Sequence, residues 1–348
     1  MEKISVIIPV KHGRIARALD ALKVVDYPIM DFEVIIAAGR HPSRQRNGAA
    51  DIAQGDMLYF LDDDSIVASD ALQRGKRHFS DPRVAAVGGP SLTPAGDSPL
   101  QKSFGLALSS ALGGGSVRNR YRKTDDIRET DDRELILCNM LFRREVFLNQ
   151  GGLDERLYPN EENELLARLS KDGWRLLHDP DLAVFRSQRP TFAAFARQIF
   201  GYGQGRAEQT LIAGFAGIAN FMPSAFFLYL CLLPILRHPV YFLPLACYFA
   251  AVASFAALES FRSDVGRAFP LLFAIFPLLH LAYGAGMLRG FFAPRFRKER
   301  PQHSEEVELT VIKPFGAEWP TTDHLRGDSG PEHSGAHLQR GREHSPSR

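Results

Sequence analysis

The residues best suited to chemistry are three consecutive aspartates, Asp62, Asp63 and Asp64, which directly follow the apolar run from 57 to 61. Carboxylates at the carboxyl end of a buried parallel strand lie where open α/β sheets bind their ligands. Adjacent negative charges repel one another unless a cation neutralises them, and Mg²⁺ and Mn²⁺ prefer oxygen ligands. The triplet therefore predicts a divalent metal site. The simpler alternative is a solvated acidic turn that precedes a helix.

A second carboxylate group is Asn160-Glu-Glu-Asn-Glu164. The apolar residues Leu165, Leu166 and Leu169 give the following segment one apolar helical face. Glu164 and Arg168 are spaced as an i, i+4 ion pair. Glutamates in a first helical turn also interact favourably with the helix dipole, so a purely structural role is one interpretation. The other is acid–base chemistry, because a positioned carboxylate can take a proton from a hydroxyl group.

The elements that must position these residues are strands and helices in alternation. Strands are predicted at 4–9, 32–38, 56–61, 84–87, 135–142 and, broken by His178-Asp-Pro180, at 174–185; helices are predicted at 14–25 and 43–54. Nearly continuous apolar strands that alternate with helices indicate a parallel sheet covered on both faces. The soluble α/β part runs to about residue 190, and segment 96–132 is predicted to be a long irregular insertion.

The chain then becomes apolar. Between Leu211 and Leu258 the only charged residue is Arg237, which divides the run into two segments of bilayer length, and Phe269 to Leu288 forms a third. Segment 191–206 is predicted to be either an amphipathic helix at a membrane surface or a core helix that ends at Gly201. Residues 293–348 are rich in Ser, Gly, Pro and His, and most of them are predicted to be disordered.

The predicted membrane topology conflicts with the preferred location of positive charge. If the N-terminal part is cytoplasmic and three segments span, the basic cluster Arg295, Arg297, Lys298 and Arg300 lies outside. Short positive flanks prefer the cytoplasmic side. One of the three segments is therefore expected to be re-entrant or interfacial, in a multi-pass protein of the cell (inner) membrane whose catalytic part is cytoplasmic.

The amino-acid composition excludes several classes of protein. The chain has 348 residues, 45% of them hydrophobic, which excludes fibrous and wholly disordered proteins. The net charge of +2, from 42 basic and 40 acidic residues, leaves no basic excess for binding nucleic acid. The three cysteines, Cys138, Cys231 and Cys247, lie far apart and predict neither a disulfide framework nor a zinc cluster.

The order of the motifs resembles a known family. Ser43-Arg-Gln-Arg-Asn-Gly48 is followed by an apolar strand and the aspartates, and this order resembles the Arg-Asn-Gly and Asp-x-Asp motifs of family 2 glycosyltransferases. The resemblance is closest to succinoglycan-type membrane glucosyltransferases of exopolysaccharide assembly. It implies a GT-A fold with a doubly wound mixed sheet over 1–206, a donor half of about 1–90 and an acceptor half of about 91–206. A transmembrane helical region at 211–292 and a largely disordered tail at 293–348 complete the expected organisation.

The resemblance also implies roles for individual residues. Glu162 would be the catalytic base, because it stands where the family has the second member of an acidic pair. Arg186 stands where many relatives have a metal-binding histidine, and it would contact the donor diphosphate. The donor would be held by Pro9, Val10, Arg46, Asp62, Asp63 and Arg186, the metal by Asp62 and Asp64, and the acceptor or the base would be supported by Glu161, Gln198 and Arg206.

The implied function is the transfer of a sugar, with inversion, from a nucleotide-sugar donor to a lipid-linked saccharide acceptor in polysaccharide or glycolipid synthesis. Mg²⁺ or Mn²⁺ would be the cofactor. A sugar-phosphate nucleotidyltransferase is an alternative, disfavoured because no Gly-rich loop with Lys or Arg follows the first strand. A non-catalytic membrane scaffold is another, disfavoured because both carboxylate groups are present.

Overall fold

The structure is a computed structural model that describes residues 2–215, 217–236, 238–263, 265, 267–297 and 307–320. The strands are β1 Ile4–Val10, β2 Phe32–Ala38, β3 Met57–Leu61, β4 Ile66–Val67, β5 Val84–Gly88, β6 Ser91–Leu92, β7 Arg128–Glu129, β8 Asn139–Arg143, β9 Arg175–His178, β10 Val184–Phe185 and β11 Glu308–Lys313. The α-helices are α1 Ala18–Leu22, α2 Pro42–Ile52, α3 Ala71–Arg77, α4 Pro99–Ser109, α5 Arg144–Asn149, α6 Glu161–Lys171, α7 Phe192–Ala213, α8 Met222–Leu232, α9 Leu243–Arg262 and α10 Ala268–Phe292.

The core of the catalytic part is an eight-stranded mixed sheet with the order β11-β2-β1-β3-β8-β5-β9-β7. β1 pairs in parallel with β2 and β3, as the apolar strands predict, and β9 pairs in parallel with β5. β8 runs antiparallel between β3 and β5, which makes the sheet mixed. Apolar clusters cover both faces of the sheet. The predicted fold class, a doubly wound mixed α/β sheet followed by apolar helices, is confirmed.

Several element boundaries differ from the predictions. The first helix is confined to Ala18–Leu22, and the predicted strand at 135–142 begins only at Asn139. The insertion is not wholly irregular, because α4 forms within it. Ser98 accepts a hydrogen bond from the backbone N–H of Gln101, whose side chain bonds back to the Ser98 N–H, so a complete capping box starts the helix. The buried Phe104 then anchors α4 against α10.

The apolar region contains two helices long enough to cross a bilayer, Pro239–Arg262 and Ala268–Phe292. The first apolar segment forms only the shorter helical stretch Ile218–Leu232 among the described residues, which agrees with the expectation that one of the three segments does not cross the bilayer. α10 packs along α4 and α7. A Cβ added to Gly286 would lie 2.0 Å from the carbonyl oxygen of Phe200, so the two backbones meet where a larger residue cannot fit. α7 continues through Gly201 to Ala213, contrary to the predicted end.

The chain after α10 returns to the catalytic sheet. β11 pairs antiparallel with β2 at the sheet edge, with Glu308 opposite Ala38. The fully buried ammonium group of Lys313 donates to the carbonyl oxygens of Ile29 and Phe32. This part of the tail is therefore ordered, contrary to its composition. Lys298 and Arg300 of the basic cluster lie outside the described residues.

Candidate active site

The aspartate triplet occupies the turn after β3, all of whose residues are buried. The short strand β4 that follows pairs antiparallel with β10, and Phe185 lies opposite Ile66. This pairing brings Arg186, the next residue, to the triplet. Its guanidinium Nε lies 2.7 Å from Oδ1 of Asp64, and its Nη2 lies 3.1 Å from Oδ2 of Asp62. One arginine therefore bridges the first and third aspartates.

The three carboxyl groups have different electrostatic surroundings. Burial raises the pKa of Asp62, but Arg186 and Arg46 outweigh burial and hold that pKa below its ordinary value. Burial and the neighbouring carboxylates of Asp64 and Asp62 raise the pKa of Asp63. Asp62 is thus the member of the triplet whose ionised form the arginines stabilise, whereas Asp63 takes up a proton more readily.

The donor set of the triplet fits a divalent cation. Because Asp62 and Asp64 bond to two nitrogens of the same Arg186 guanidinium, their carboxylates lie near one another. Across the described ranges, no three His, Cys, Asp or Glu side chains form a preformed metal site. Two carboxylates would leave coordination positions open for phosphate oxygens, which is how Mg²⁺ commonly binds nucleotides. Occupation of the site requires Arg186 to share these carboxylates with the ion.

Arg46, on α2, connects the aspartates with the second carboxylate group. Its guanidinium is 4% exposed. Its Nη2 donates to Asp62 over 2.8 Å, and its Nη1 donates to Glu161 over 3.2 Å. Neither Nε of Arg46 nor Oε2 of Glu161 has a hydrogen-bond partner among the described residues. The aspartate turn and the glutamate pair are therefore connected through one buried guanidinium group, that of Arg46.

The glutamate pair lies in the first turn of α6. Burial and the adjacent Glu162 carboxylate raise the pKa of Glu161 to about 8, in spite of Arg46. The protonated form of Glu161 is therefore favoured near neutral pH. Oε1 of Glu162 lies 3.5 Å from Nη1 of Arg120. The expected helical pair of Glu164 with Arg168 is also present, at 2.7 Å.

Arg120 was not predicted from the sequence. It lies in the insertion, where its Nε donates to the carbonyl oxygen of Arg133 over 2.8 Å and its Nη2 donates to Asn163. Those bonds fix the guanidinium beside Glu162. The insertion contains four arginines, at 118, 120, 122 and 128, and nothing in their spacing distinguishes the one that faces the site.

Most of the predicted site residues line one cavity of about 1010 Å³. The predicted residues that line it are Arg46, Asp62, Glu161, Glu162, Arg186, Gln198 and Arg206. Asp63, Asp64, Pro9 and Val10 are not among its lining residues. The carbonyl oxygen of Val10 is bonded by the N–H of Gly39 at 3.0 Å and by Nε2 of Gln45 at 2.8 Å. The end of β1 is thereby tied to the end of β2, apart from the cavity.

The same cavity also has apolar and aromatic lining residues. It is lined by Met222, Pro223 and Phe226 of α8, by Tyr248 of α9, by Leu279, His280 and Tyr283 of α10, and by Leu108 and Leu112 at the end of α4 and just beyond it. The carboxylates and the apolar helices therefore line one cavity. The sequence predicted both features but not their contact.

The two predicted residues on α7 have different surroundings. Gln198 donates from Nε2 to the hydroxyl of Tyr202 over 2.6 Å and accepts from Nε of Arg189 over 2.9 Å. Arg206 is buried and donates to Oε1 of Gln209 over 2.9 Å. The same oxygen accepts from Nδ2 of Asn160 over 3.0 Å, so α7 braces the residue before the glutamate pair.

A mixed α/β sheet with two carboxylate groups at one cavity, followed by apolar helices packed on that cavity, is the architecture expected of GT-A glycosyltransferases. The family model for glycosyl transferase family group 2 matches residues 57–287, which is more than half of the chain. The chain belongs to this family, and the predicted enzyme class is confirmed at that level.

Two curated proteins are similar over part of their length. The succinoglycan biosynthesis protein ExoA of Rhizobium meliloti is 30% identical over 136 residues, 39% of each chain. The O-antigen chain rhamnosyltransferase RfbN of Salmonella typhimurium is 25% identical over 154 residues, 43% of this chain and 47% of that protein. The chain thus matches less than half the length of these relatives.

Among solved structures, the mannosyltransferase PcManGT from Pyrobaculum calidifontis, in complex with GDP-Man and Mn²⁺, is similar with a TM-score of 0.51. The comparison covers 83% of this chain and 87% of that one, at 17% sequence identity. This similarity supports the fold.

Proposed function

We propose that the protein transfers a sugar from a nucleotide-sugar donor to a hydroxyl group of a lipid-linked saccharide, with inversion at the anomeric carbon. One observation carries this proposal: a single cavity is lined both by Asp62 with the glutamate pair and by residues of the apolar helices. An acceptor with a saccharide head and a hydrocarbon tail complements both kinds of lining. Similarity to a succinoglycan biosynthesis protein supports a role in polysaccharide or glycolipid synthesis.

The donor diphosphate is assigned to the aspartate turn. Asp62 and Asp64 would hold Mg²⁺ or Mn²⁺, and the Mn²⁺ in the structure of the mannosyltransferase PcManGT supports such use. The ion, when bound, stabilises negative charge on the leaving diphosphate. Arg186, whose pKa its aspartate partners raise against the effect of burial, remains charged and adds a second cation at this position.

The acceptor hydroxyl is assigned to Glu162. An uncharged hydroxyl is a weak nucleophile, and a carboxylate within reach takes its proton as the new bond to the anomeric carbon forms. The bond between that carbon and the diphosphate oxygen breaks in the same step, and its electron pair leaves with the diphosphate. Burial and Glu162 favour the protonated form of Glu161, so the role of base is assigned to Glu162 and not to Glu161.

Attachment to the membrane is assigned to the outer faces of α8, α9 and α10. Large apolar side chains are exposed there, among them Leu232, Leu243, Phe261 and Phe292 at 53%, 61%, 91% and 84%. Contiguous exposed apolar surface of this kind is typical of a membrane or protein interface. A cavity lined by these same helices would receive an acceptor that is confined to the bilayer.

The number of bilayer crossings is inferred to be even. The backbone N–H of Arg295 donates to the buried Glu208 of α7 over 2.7 Å, and β11 belongs to the catalytic sheet. The chain therefore enters and leaves the apolar region on one side. This arrangement removes the topology conflict, because Arg295 and Arg297 then lie on the same side as the catalytic part, as positive flanks require of a cytoplasmic face.

A labelling experiment tests this topology. In a variant without native cysteines, Asp20→Cys in the catalytic part and Glu318→Cys after β11 should respond identically to a membrane-impermeant maleimide. Both sites are exposed, so both should be protected in sealed spheroplasts and both labelled after lysis. Labelling of Glu318→Cys alone in sealed spheroplasts would require an odd number of crossings.

The function itself is tested with donors. Membranes that contain the protein are incubated with radiolabelled UDP-, GDP- and dTDP-sugars, and the lipid extract is counted. We expect label in the lipid fraction from one nucleotide class and none from membranes with the Glu162→Gln variant. Transfer only to water-soluble acceptors would refute the lipid-linked acceptor. Formation of a nucleotide sugar from a nucleoside triphosphate and a sugar phosphate would identify a nucleotidyltransferase instead.

A further inference from the structure

Both ends of α10 lie on the catalytic part of the chain. Ala268, its first residue, belongs to the apolar cluster that also contains Phe104 of α4. Shortly after its last residue, Arg295 donates from Nη2 to Oε2 of the buried Glu208 on α7 over 2.6 Å. A helix that crosses a bilayer has its two ends on opposite sides of the membrane. Although α10 is long enough to cross, the catalytic part therefore contacts both of its ends.

α10 also stays against α7 between these ends. A Cβ added to Gly203 of α7 would lie 2.1 Å from the carbonyl oxygen of Tyr283, and one added to Gly290 of α10 would lie 2.6 Å from that of Gln204. The backbones of the two helices therefore touch at successive turns, and the helices run side by side in the same direction. Because α7 includes the fully buried Glu208, a spanning α10 would draw a carboxylate of the catalytic part into hydrocarbon, where burial of charge is costly.

The hairpin of α8 and α9 is short beyond its contacts with α10. Ser224 of α8 donates from Oγ to the carbonyl oxygen of Gly284 over 3.3 Å. The hydroxyl of Tyr248 on α9 donates to Nδ1 of His280 over 2.8 Å, and Nε2 of that ring donates to the carbonyl oxygen of Leu112 in the insertion over 2.9 Å. Between these contacts and the turn that joins the two helices, each arm rises only about 12 to 16 Å. The hydrocarbon core is about 30 Å thick, so the hairpin reaches through about one leaflet.

The exposed side chains of this region are divided by charge. Large apolar side chains are exposed at the tip of the hairpin, among them Leu232, Ile235 and Val240. The exposed Arg262 ends α9, and the exposed Arg289 lies in the last turn of α10. Glu259, one turn before Arg262, interacts electrostatically with Arg122 of the insertion, which keeps this end of α9 beside the catalytic part. Positive charge on the catalytic side matches the anionic headgroups of a cytoplasmic leaflet.

We propose that α8, α9 and α10 enter a single leaflet of the bilayer and that none of them crosses it. This inference rests on the proposed attachment to the membrane. α10 would lie parallel to the membrane plane beneath the catalytic part, and the hairpin of α8 and α9 would insert into the hydrocarbon of the cytoplasmic leaflet. The partner of the exposed apolar faces is then the acyl chains of one leaflet. The number of crossings, which the return of the chain requires to be even, is zero.

Two turns report on every possible crossing of these helices. If α8 and α9 crossed together, Ile235 in the turn between them would lie outside the membrane, and if α9 and α10 crossed together, Arg262 would lie there. Ile235→Cys and Arg262→Cys, both at exposed positions, are therefore introduced separately into the full-length protein without native cysteines. Sealed spheroplasts are treated with a membrane-impermeant maleimide. Asp20→Cys is the control for the catalytic side, and an outer-face cysteine of an unrelated inner-membrane protein confirms that the reagent is active.

We expect no label at either position in sealed spheroplasts. After lysis, Arg262→Cys should be labelled to the same extent as Asp20→Cys, whereas Ile235→Cys, held among acyl chains, should be labelled only once SDS has dissolved the membrane. Label at either position in sealed spheroplasts would overturn the proposal. Labelling of Ile235→Cys on lysis alone would place the hairpin in water and would overturn it as well.

Extraction of the membranes with alkaline carbonate separates this inference from the proposed function. Release of the protein into the supernatant would refute membrane attachment and, with it, the insertion of the hairpin. Retention in the membrane together with label at either turn in sealed spheroplasts would refute only the absence of crossings. Labelling does not require sugar transfer, so a failure to transfer sugar from any nucleotide sugar to lipid would refute the proposed transfer and leave this result intact.

Discussion

Replacing Glu162 by Gln should lower sugar transfer by about 10²- to 10⁴-fold, the usual contribution of a general base. The amide keeps the size of the side chain but cannot take the proton of the acceptor hydroxyl. Nucleotide binding should persist, because Glu162 contacts Arg120 rather than the aspartate turn. Single-turnover transfer and calorimetric binding of the nucleoside diphosphate measure the two effects separately.

Glu161→Gln is the matched control. Since burial and Glu162 already favour the protonated form of Glu161, the neutral amide changes its charge little at neutral pH, and transfer should fall far less.

The Glu161→Gln variant should also change how the stability of the folded protein depends on pH. A carboxyl group whose pKa is raised on folding stabilises the fold at low pH, and this contribution is lost as the pH rises from about 4.5 to about 8. The variant should therefore gain stability relative to the unmodified protein over that interval. A larger loss of transfer in Glu161→Gln than in Glu162→Gln would make Glu161 the base.

The central site could be predicted because its parts are local. The aspartates directly follow a buried strand, and the glutamates begin a helix with an apolar face, so each group is positioned by a few neighbouring residues. Strand period and turn position are visible in sequence. The contact of both groups with Arg46 was not visible, since it depends on how α2 lies between β3 and α6.

Other arginines of the cavity could not be predicted, for a different reason. Arg120 reaches Glu162 from an insertion, and Arg197 lines the cavity from α7, which packs beside α10. Their orientation is set by helix packing between distant segments. Single arginines in charged or amphipathic stretches are usually solvated, so their residue type carries no signal of its own.

β11 illustrates how pairing at a sheet edge can override local composition. Its six residues lie between segments whose composition predicts disorder. β2 offers an unpaired edge to which a passing segment can add by backbone hydrogen bonds. Lys313, normally a surface residue, is then buried with two carbonyl acceptors and the ring of Phe32 at 4.1 Å. α4, by contrast, was readable from Ser98 and Gln101, whose capping box is a sequence signal.

The second large effect concerns Asp64. Asp64→Asn should reduce transfer by about 10³-fold, because loss of one of two carboxylates weakens the divalent ion that stabilises the leaving diphosphate. The unmodified protein should lose activity to a similar extent in EDTA and recover it when Mg²⁺ or Mn²⁺ is added in excess. Asp63→Asn is the control from the same turn, since Asp63, unlike Asp64, makes no salt bridge with Arg186 among the described contacts.

The position of Arg186 makes this test decisive. Its guanidinium already bridges Asp62 and Asp64, so a chain that relied on this arginine alone to neutralise the diphosphate would remain fully active in EDTA. In that case Asp64→Asn would act by releasing Arg186, and Arg186→Gln would abolish transfer whether or not metal was present. If the ion is required, Arg186→Gln should instead leave a residual activity that rises with the concentration of Mn²⁺. Full activity in chelator would remove the metal from the mechanism.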